Sequence, residues 1–236
     1  MDLLDSVSPL PLIIAKSGVG GVGKTELIAN LIYILLVLGY NPFFVDADDN
    51  HQDIYKTLVN ELEGVLLKLK KEHGYKRLCQ IVADPDVIGP IAVSAPGQDI
   101  DLFLENLPVL AAVAKEAKRR LAILWPLDLT VDAIIDLPRV VEILGPERVW
   151  VVRNLFYGDV EEFEAFENSK IGRLMLDAGR VIDLPVTSSS VVAAYRVQRM
   201  SHRRMAEGGA QVRERLPNLR LSLERSLAPL LEDLGL

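Results

Sequence analysis

Cysteine is nearly absent. Cys79 stands alone in 236 residues, so no internal disulfide can form, and no CxxC or Cys/His spacing suggests zinc. Such sparing use of cysteine fits a reducing cytoplasm. Histidine is almost as scarce: His51, His73 and His202 lie far apart with no HExxH pattern, and they read as surface or packing residues rather than ligands. An excess of positive charge is missing too. The formal net charge is −7, which excludes a polycation that coats nucleic acid, so any contact with DNA needs a local basic patch. No apolar run is long enough to span a bilayer. The longest, Leu27 to Leu38, is broken by Asn30 and falls short of the roughly 20 residues required. The first residues, Met1-Asp2-Leu3-Leu4-Asp5, lack the positive n-region of a secretory signal.

Hydrophobic residues, by contrast, make up 50% of the chain, ample for a core with helices on both faces of a sheet. Leu10 to Ala15 is a short apolar run, the expected first strand. A glycine-rich turn leads into a helical stretch from Thr25 to Leu38, which Gly39 is placed to stop, with Pro42 following. Phe43 to Val45 forms a second strand with Asp46 at its carboxyl end. The spacing of Ile54, Leu58, Leu62, Leu66 and Leu69 predicts a helix over 52–72. Further strands are expected at Ile91–Val93, Leu121–Trp125, Val149–Val152 and Val181–Leu184. Helices are expected over 99–118, 131–144 and 160–178, and beyond Ser188. Strands alternating with helices argue for one doubly wound parallel sheet covered on both faces. No repeat, low-complexity tract or linker shows. Residues 1–236 read as a single α/β domain, with 188–236 its helical carboxyl-terminal part, and ligands are expected at the carboxyl ends of the strands.

The turn carries the chemistry. Residues Gly18-Val19-Gly20-Gly21-Val22-Gly23-Lys24-Thr25 match G-x-x-x-x-G-K-[ST] between an expected strand and helix. Backbone N–H groups must wrap phosphate oxygens there, so side chains have to be absent where the chain comes close. Gly18, Gly20, Gly21 and Gly23 meet that need, and the following helix adds the positive end of its dipole. Lys24 is the expected neutraliser of the β- and γ-phosphates, and the Thr25 hydroxyl an expected Mg²⁺ ligand. Glu26 closes the nucleotide-binding stretch.

With this loop, Asp46-Ala47-Asp48-Asp49-Asn50, Ser94-Ala95-Pro96-Gly97 and Val151-Val152-Arg153-Asn154 follow in order. In this the chain resembles the ParA/MinD-type ATPases, which fold as a doubly wound α/β domain and bind ATP and Mg²⁺. The resemblance spans roughly residues 10–195. It implies that Asp46 sits near the Mg²⁺ hydration shell and that Asp48, with Lys24, serves catalysis beside the attacking water. It further implies that Asn154 reads adenine and that Pro185 lies beside the base. Asn154 reads equally as a strand-end residue that caps backbone groups. The chain departs from the family at two positions. Val19 occupies the place of a signature lysine that reaches a partner's phosphates, and Lys16 cannot be assumed to replace it. Ser94 occupies the place of an aspartate that supports Mg²⁺ through water, so it brings no charge. Hydrolysis is therefore expected to be slow, or replaced by binding alone. The resemblance also implies an ATP-dependent homodimer and a protein partner in a plasmid partition or transfer system.

Near the carboxyl end, Arg196, Arg199 and Arg203 recur at helical spacing, with Arg204 beside them. They read as a basic stripe, which the resemblance implies contacts DNA backbone, or as a solvated helix face or a site for an acidic partner. Leu219, Leu223, Leu227, Leu230 and Leu234 form an apolar face. With acidic neighbours and Pro229 it suits packing on the chain's own domain or a partner better than a membrane surface. The leading function is a nucleotide-dependent switch that positions DNA or a macromolecular complex. The alternatives are a small-molecule ATP-dependent enzyme of the dethiobiotin synthetase type, and a degenerate module that binds nucleotide without hydrolysis.

Overall fold

The computed structural model describes residues 10–48, 52–97, 99–208 and 210–236. His51, the last two residues of the acidic stretch (Asp49 and Asn50) and the first five residues therefore lie outside the described residues. Among the described residues, seven strands form one sheet in the order β3-β2-β4-β1-β5-β6-β7. They are β1 Pro11–Ala15, β2 Phe43–Asp46, β3 Gly64–Leu66, β4 Ile91–Ser94, β5 Arg120–Leu127, β6 Val149–Asn154 and β7 Val181–Leu184. Every pairing is parallel. β1 is buried along its whole length, which explains its unbroken apolar run: a central parallel strand has no face turned to water.

Successive side chains of each strand point to opposite faces, and two cores result. On one face Leu12, Ile14, Val93, Ile123 and Trp125 pack with side chains of α3 (Glu72–Ala83), α4 (Ile100–Glu116) and α5 (Leu137–Leu144). On the other, Ile13, Ala15, Phe44, Leu124 and Val152 meet Leu27 and Leu31 of α1 (Lys24–Val37). The same core takes in Leu219, Leu223, Leu227, Leu230 and Leu234 of α11 (Leu216–Leu234). The leucine face thus packs on the chain's own sheet and on α1, each fully buried leucine contributing roughly 1.5–3 kcal/mol. The remaining helices are α2 (Asp53–Leu58), α6 (Glu164–Glu167), α7 (Lys170–Asp177), α8 (Ser189–Arg196), α9 (His202–Glu207) and α10 (Ala210–Arg213). No helix among the described residues is long and apolar enough to cross a membrane.

Three expected helices break up. The stretch 52–72 is α2, then β3, with α3 starting only at Glu72. Gly64 makes the strand possible, because a Cβ there would collide with the Phe44 ring. Residues 131–144 divide into a 3₁₀ turn at Val131–Ala133 and α5, and 160–178 into a 3₁₀ turn at Val160–Glu162, α6 and α7. The strand at Ile91 is accordingly the fourth. Its register places Ser94 beside both Ala15 of β1 and Asp46 of β2. Three strand ends carrying the motif residues are therefore side by side.

Candidate nucleotide site

After Ala15 the chain turns through residues 16–23 and enters α1 at Lys24. Gly21 and Gly23 have φ of +83° and +95°, a left-handed conformation that side-chain-bearing residues rarely adopt. A Cβ on Gly20 or Gly21 would meet nothing within 4 Å, whereas one on Gly18 would lie 2.5 Å from an Asp136 carboxylate oxygen. Gly20 and Gly21 thus face open space, and Gly18 is required by a crowded neighbour.

That open space is a cavity of about 280 Å³. Gly20, Gly21, Gly23, Lys24 and Thr25 form its floor, Pro96 and Gly97 one wall, and Asp48, Lys70 and Arg196 bring charge to it. Lys24 is folded back onto its own loop, its Nζ donating to the Val19 carbonyl at 2.8 Å and to Ser17 Oγ at 3.1 Å. Burial pushes its pKa down to about 8, against the pull of Asp48. A Cβ on Gly97 would sit 2.6 Å from the Val19 carbonyl oxygen and 2.9 Å from Lys24 Nζ. Only glycine lets the loop after β4 lie so close.

The two departures acquire a structural meaning. Val19 is partly buried against the first core, and Lys16 does not take over an outward reach. Lys16 is 1% exposed, its Nζ donating to the Pro96 carbonyl at 2.6 Å and lying 5.6 Å from the Phe103 ring centre. Burial, with repulsion from Lys24, pushes its pKa down to about 7. Lys16 ties the end of β1 to the loop after β4. Ser94 and Asp46 are both buried, and neither lines the cavity. Asp46 accepts the Asp48 N–H at 3.2 Å and the Tyr55 N–H at 3.0 Å, which orders the segment leading to α2. Burial raises its pKa, with those amides opposing. Of the acidic pair, Asp48 faces the cavity and Asp46 braces it.

Asn154 lies at the end of β6 with its amide donating to the Val22 carbonyl at 3.1 Å and its Oδ1 accepting the Phe156 N–H at 3.2 Å. These are bonds that a strand-end residue makes when it caps backbone groups. Tyr157 donates its hydroxyl to the Gly21 carbonyl. Pro185 follows β7, and neither it nor Asn154 lines the cavity. Glu26 borders a smaller pocket beside α1 with Asn30 and Thr187.

The basic stripe does not form as expected. α8 ends at Arg196, Arg199 has φ of +54°, and Arg203 belongs to α9. Arg199 pairs with Asp53 at 2.6 Å, Arg196 reaches the same carboxylate at 3.9 Å, and Arg204 pairs with Glu61 at 2.8 Å. The break in the helix and these acids divide the arginines between Asp53, which Arg196 and Arg199 share, and Glu61, which holds Arg204. Sequence reasoning missed Lys70, because it placed that residue in a helix, and passed over Tyr157, whose bond to Gly21 spans 136 positions. No local pattern signals either.

The residues present suit a nucleotide with Mg²⁺. The glycines leave room where phosphates would approach N–H groups, Lys24 supplies a cation, and the Thr25 hydroxyl supplies a hard oxygen ligand. Among the described residues no cluster of three or more His, Cys, Asp or Glu could hold a metal alone. Mg²⁺ bound this way leans on substrate phosphates and needs few protein ligands.

No family model matches the chain. Over 162 residues, 68% of this chain and 70% of the relative, it is 25% identical to protein MobD of Acidithiobacillus ferrooxidans. Among solved structures it resembles the cell division ATPase MinD of Pyrococcus furiosus, with a TM-score of 0.50 and 16% identity, covering 94% of this chain and all of that one. It also resembles a variant of Cyanothece McdA in complex with ATP, with a TM-score of 0.50, 16% identity and 98% of each chain covered. The parallel seven-stranded sheet, with its glycine loop between β1 and α1, is the fold of the ParA/MinD-type P-loop ATPases.

Proposed function

We propose that this chain binds ATP with Mg²⁺ and hydrolyses it slowly, acting as a nucleotide-dependent dimerisation switch. In this reading it positions DNA or a macromolecular complex in the cytoplasm, in plasmid partition, stability or conjugative transfer. One observation carries the proposal: Lys24 and Thr25 open α1 beneath a cavity floored by Gly20, Gly21 and Gly23 and faced by Asp48. Backbone dipoles, a mobile cation and a carboxylate on the far side are the parts that phosphoryl transfer uses for positioning and charge stabilisation. The ATP held by the Cyanothece neighbour and the ATPase activity of the Pyrococcus one support the choice of nucleotide.

In this mechanism Lys24 would turn from Val19 and Ser17 to the phosphates, and the Thr25 hydroxyl would hold Mg²⁺, which would supply charge stabilisation. Asp46 and Ser94 would support the hydrated metal, and Asp48 would orient the attacking water. The cavity is open to solvent on one side, where a second copy of the chain would close it. Asp48→Ala is expected to keep ATP binding and lower steady-state hydrolysis about a hundredfold, the usual scale for a positioned base. An unchanged rate would remove Asp48 from the mechanism. Light scattering with ADP and with a non-hydrolysable ATP analogue tests the dimer, which is expected with the analogue only.

A second reading has its own support. Val19 is packed against the core and Ser94 brings no charge, so two contributors to hydrolysis are lacking. A module that binds ATP without turning it over would show nucleotide-dependent association and no phosphate release.

A further inference from the structure

The ATP reading leaves two cations at the cavity without a role. Lys70 arrives from the loop after β3, at the edge of the sheet, and Arg196 from the end of α8, on the face that α1 covers. Among the described residues that line the cavity, they stand with Lys24 as three cations beside the Asp48 carboxylate. In a chain with a net charge of −7, these basic side chains gather where a polyphosphate would be held.

Arg196 is arranged for exchange. Its Nε lies 3.9 Å from Asp53 Oδ2, at the outer limit of a salt bridge, and its side chain is 47% exposed. Arg199 meanwhile holds the other oxygen of Asp53 at 2.6 Å. Asp53 therefore keeps a strong partner when Arg196 turns away. A loose, half-exposed pair is worth little, so transferring the guanidinium to a phosphate oxygen gains a stronger, charge-assisted bond at small cost. The position is also firmly set. The Tyr195 carbonyl, one residue before Arg196, accepts the Thr57 hydroxyl at 3.1 Å, which fixes the end of α8 to α2.

Resting on the reading that this cavity takes ATP, we propose that Lys70 and Arg196 contact the terminal phosphates from within the same chain. They supply the positive charge that Val19 withholds, and they favour the triphosphate over the diphosphate. Closure by a second copy then completes the site without having to bring a lysine across.

The test uses the full chain. Calorimetry with Mg²⁺·ATPγS and Mg²⁺·ADP is run on wild type, Arg196→Ala, Lys70→Ala and Lys24→Ala. Arg196→Ala and Lys70→Ala are each expected to weaken ATPγS about tenfold, as for one lost charge-assisted bond, and to leave ADP almost unchanged. Lys24→Ala is expected to lose both. Arg196→Gln and Lys70→Gln, which keep the aliphatic stems, carry the test if an alanine variant melts below wild type. Wild-type ATPγS affinity in both variants, with binding lost in Lys24→Ala, overturns this assignment and leaves the ATP reading standing. A wild type that binds neither nucleotide overturns both. Loss in one variant alone assigns the role to that residue and removes it from the other.

Discussion

Asn154, at the end of β6, donates its side-chain amide to the main-chain carbonyl of Val22, 132 positions earlier, at 3.1 Å. Three residues on, Tyr157 bonds the Gly21 carbonyl in the same turn. The glycine loop is thus braced from outside by the strand two places along the sheet. Its glycines give it freedom, and these contacts remove the part of that freedom it does not need. A site that must hold anions by backbone N–H groups works only if those groups are already aimed.

Replacing Asn154 by alanine is expected to leave the Val22 carbonyl unpaired in a buried position, a loss of about 1–3 kcal/mol. Melting temperature should fall, and affinity for ATP and GTP should drop together, because the loop serves phosphates rather than the base. Differential scanning fluorimetry and calorimetry check both. A loss confined to ATP, at an unchanged melting temperature, would return Asn154 to the role of adenine reader.

Lys24→Ala should behave in the opposite way. It removes a buried cation whose desolvation is unfavourable, so the variant should melt at or above wild type while losing nucleotide affinity. The pH profile follows from the depressed pKa of about 8. Between about pH 8 and the ordinary lysine value of 10.5 the unfolded chain holds a proton that the folded chain has released. Stability of the wild type therefore rises with pH through that window, and the rise should shrink in the variant. Phosphates restore the charge, so ATP binding near pH 8 should take up protons. Calorimetry in buffers of different ionisation enthalpy measures that uptake, and proton release would contradict the placement of Lys24.

Much of this was legible in the sequence. The glycine loop, its flanking strand and helix and the parallel sheet all rest on local pattern. The leucines of α11 at 219, 223, 227, 230 and 234 read as a packing face, and they are buried on the sheet and α1. The stretch 52–72 misled because Ile54, Leu58, Leu62, Leu66 and Leu69 keep a helical interval across two different elements. Leu66 stands at the edge strand, partly exposed, while Ile54 and Leu58 are buried through α2. Gly64 pairs with Phe44 across β2 and β3, where a Cβ would collide with the Phe44 ring, a contact that no periodicity encodes. The arginine stripe failed for a related reason. Helical spacing assumed an unbroken helix, and the acids that divide those side chains, Asp53 and Glu61, lie more than a hundred positions away in sequence.

His202 gives the fold an acid limit. It opens α9, buried and stacked on Tyr33 with ring centres 4.7 Å apart. Burial pushes its pKa from the ordinary 6.5 to about 4. Below pH 6.5 the unfolded chain binds a proton that the folded chain refuses, so this residue's contribution is complete above 6.5 and is lost as pH falls toward 4. The shift corresponds to about 3 kcal/mol at 1.36 kcal/mol per pH unit. His202→Phe should flatten the urea-unfolding profile between pH 4 and 6.5 relative to wild type. An identical slope in that range would mean the imidazole is protonated in the folded state.

Ser94→Asp introduces the acid that the ParA/MinD-type resemblance implies at this position, and the surroundings of Ser94 set what that entails. Ser94 is a direct register partner of Asp46, and both are almost fully buried. A second carboxylate there faces a like charge in a site where desolvation already raises the pKa of Asp46. Without metal the variant should be less stable than wild type, by about 1–3 kcal/mol on the usual scale for a buried unpaired group. Mg²⁺ with nucleotide should reverse that loss, because a divalent cation turns the repulsion between two carboxylates into shared attraction. Hydrolysis should rise, or its Mg²⁺ dependence steepen. Thermal melts with and without Mg²⁺·ATPγS, together with phosphate release across a Mg²⁺ titration, measure both effects. A variant destabilised equally in all conditions, with unchanged turnover, would mean that position 94 lies beyond the reach of the metal's water shell. The serine would then be a packing residue at the end of β4, and the slow hydrolysis proposed for this chain would need another cause.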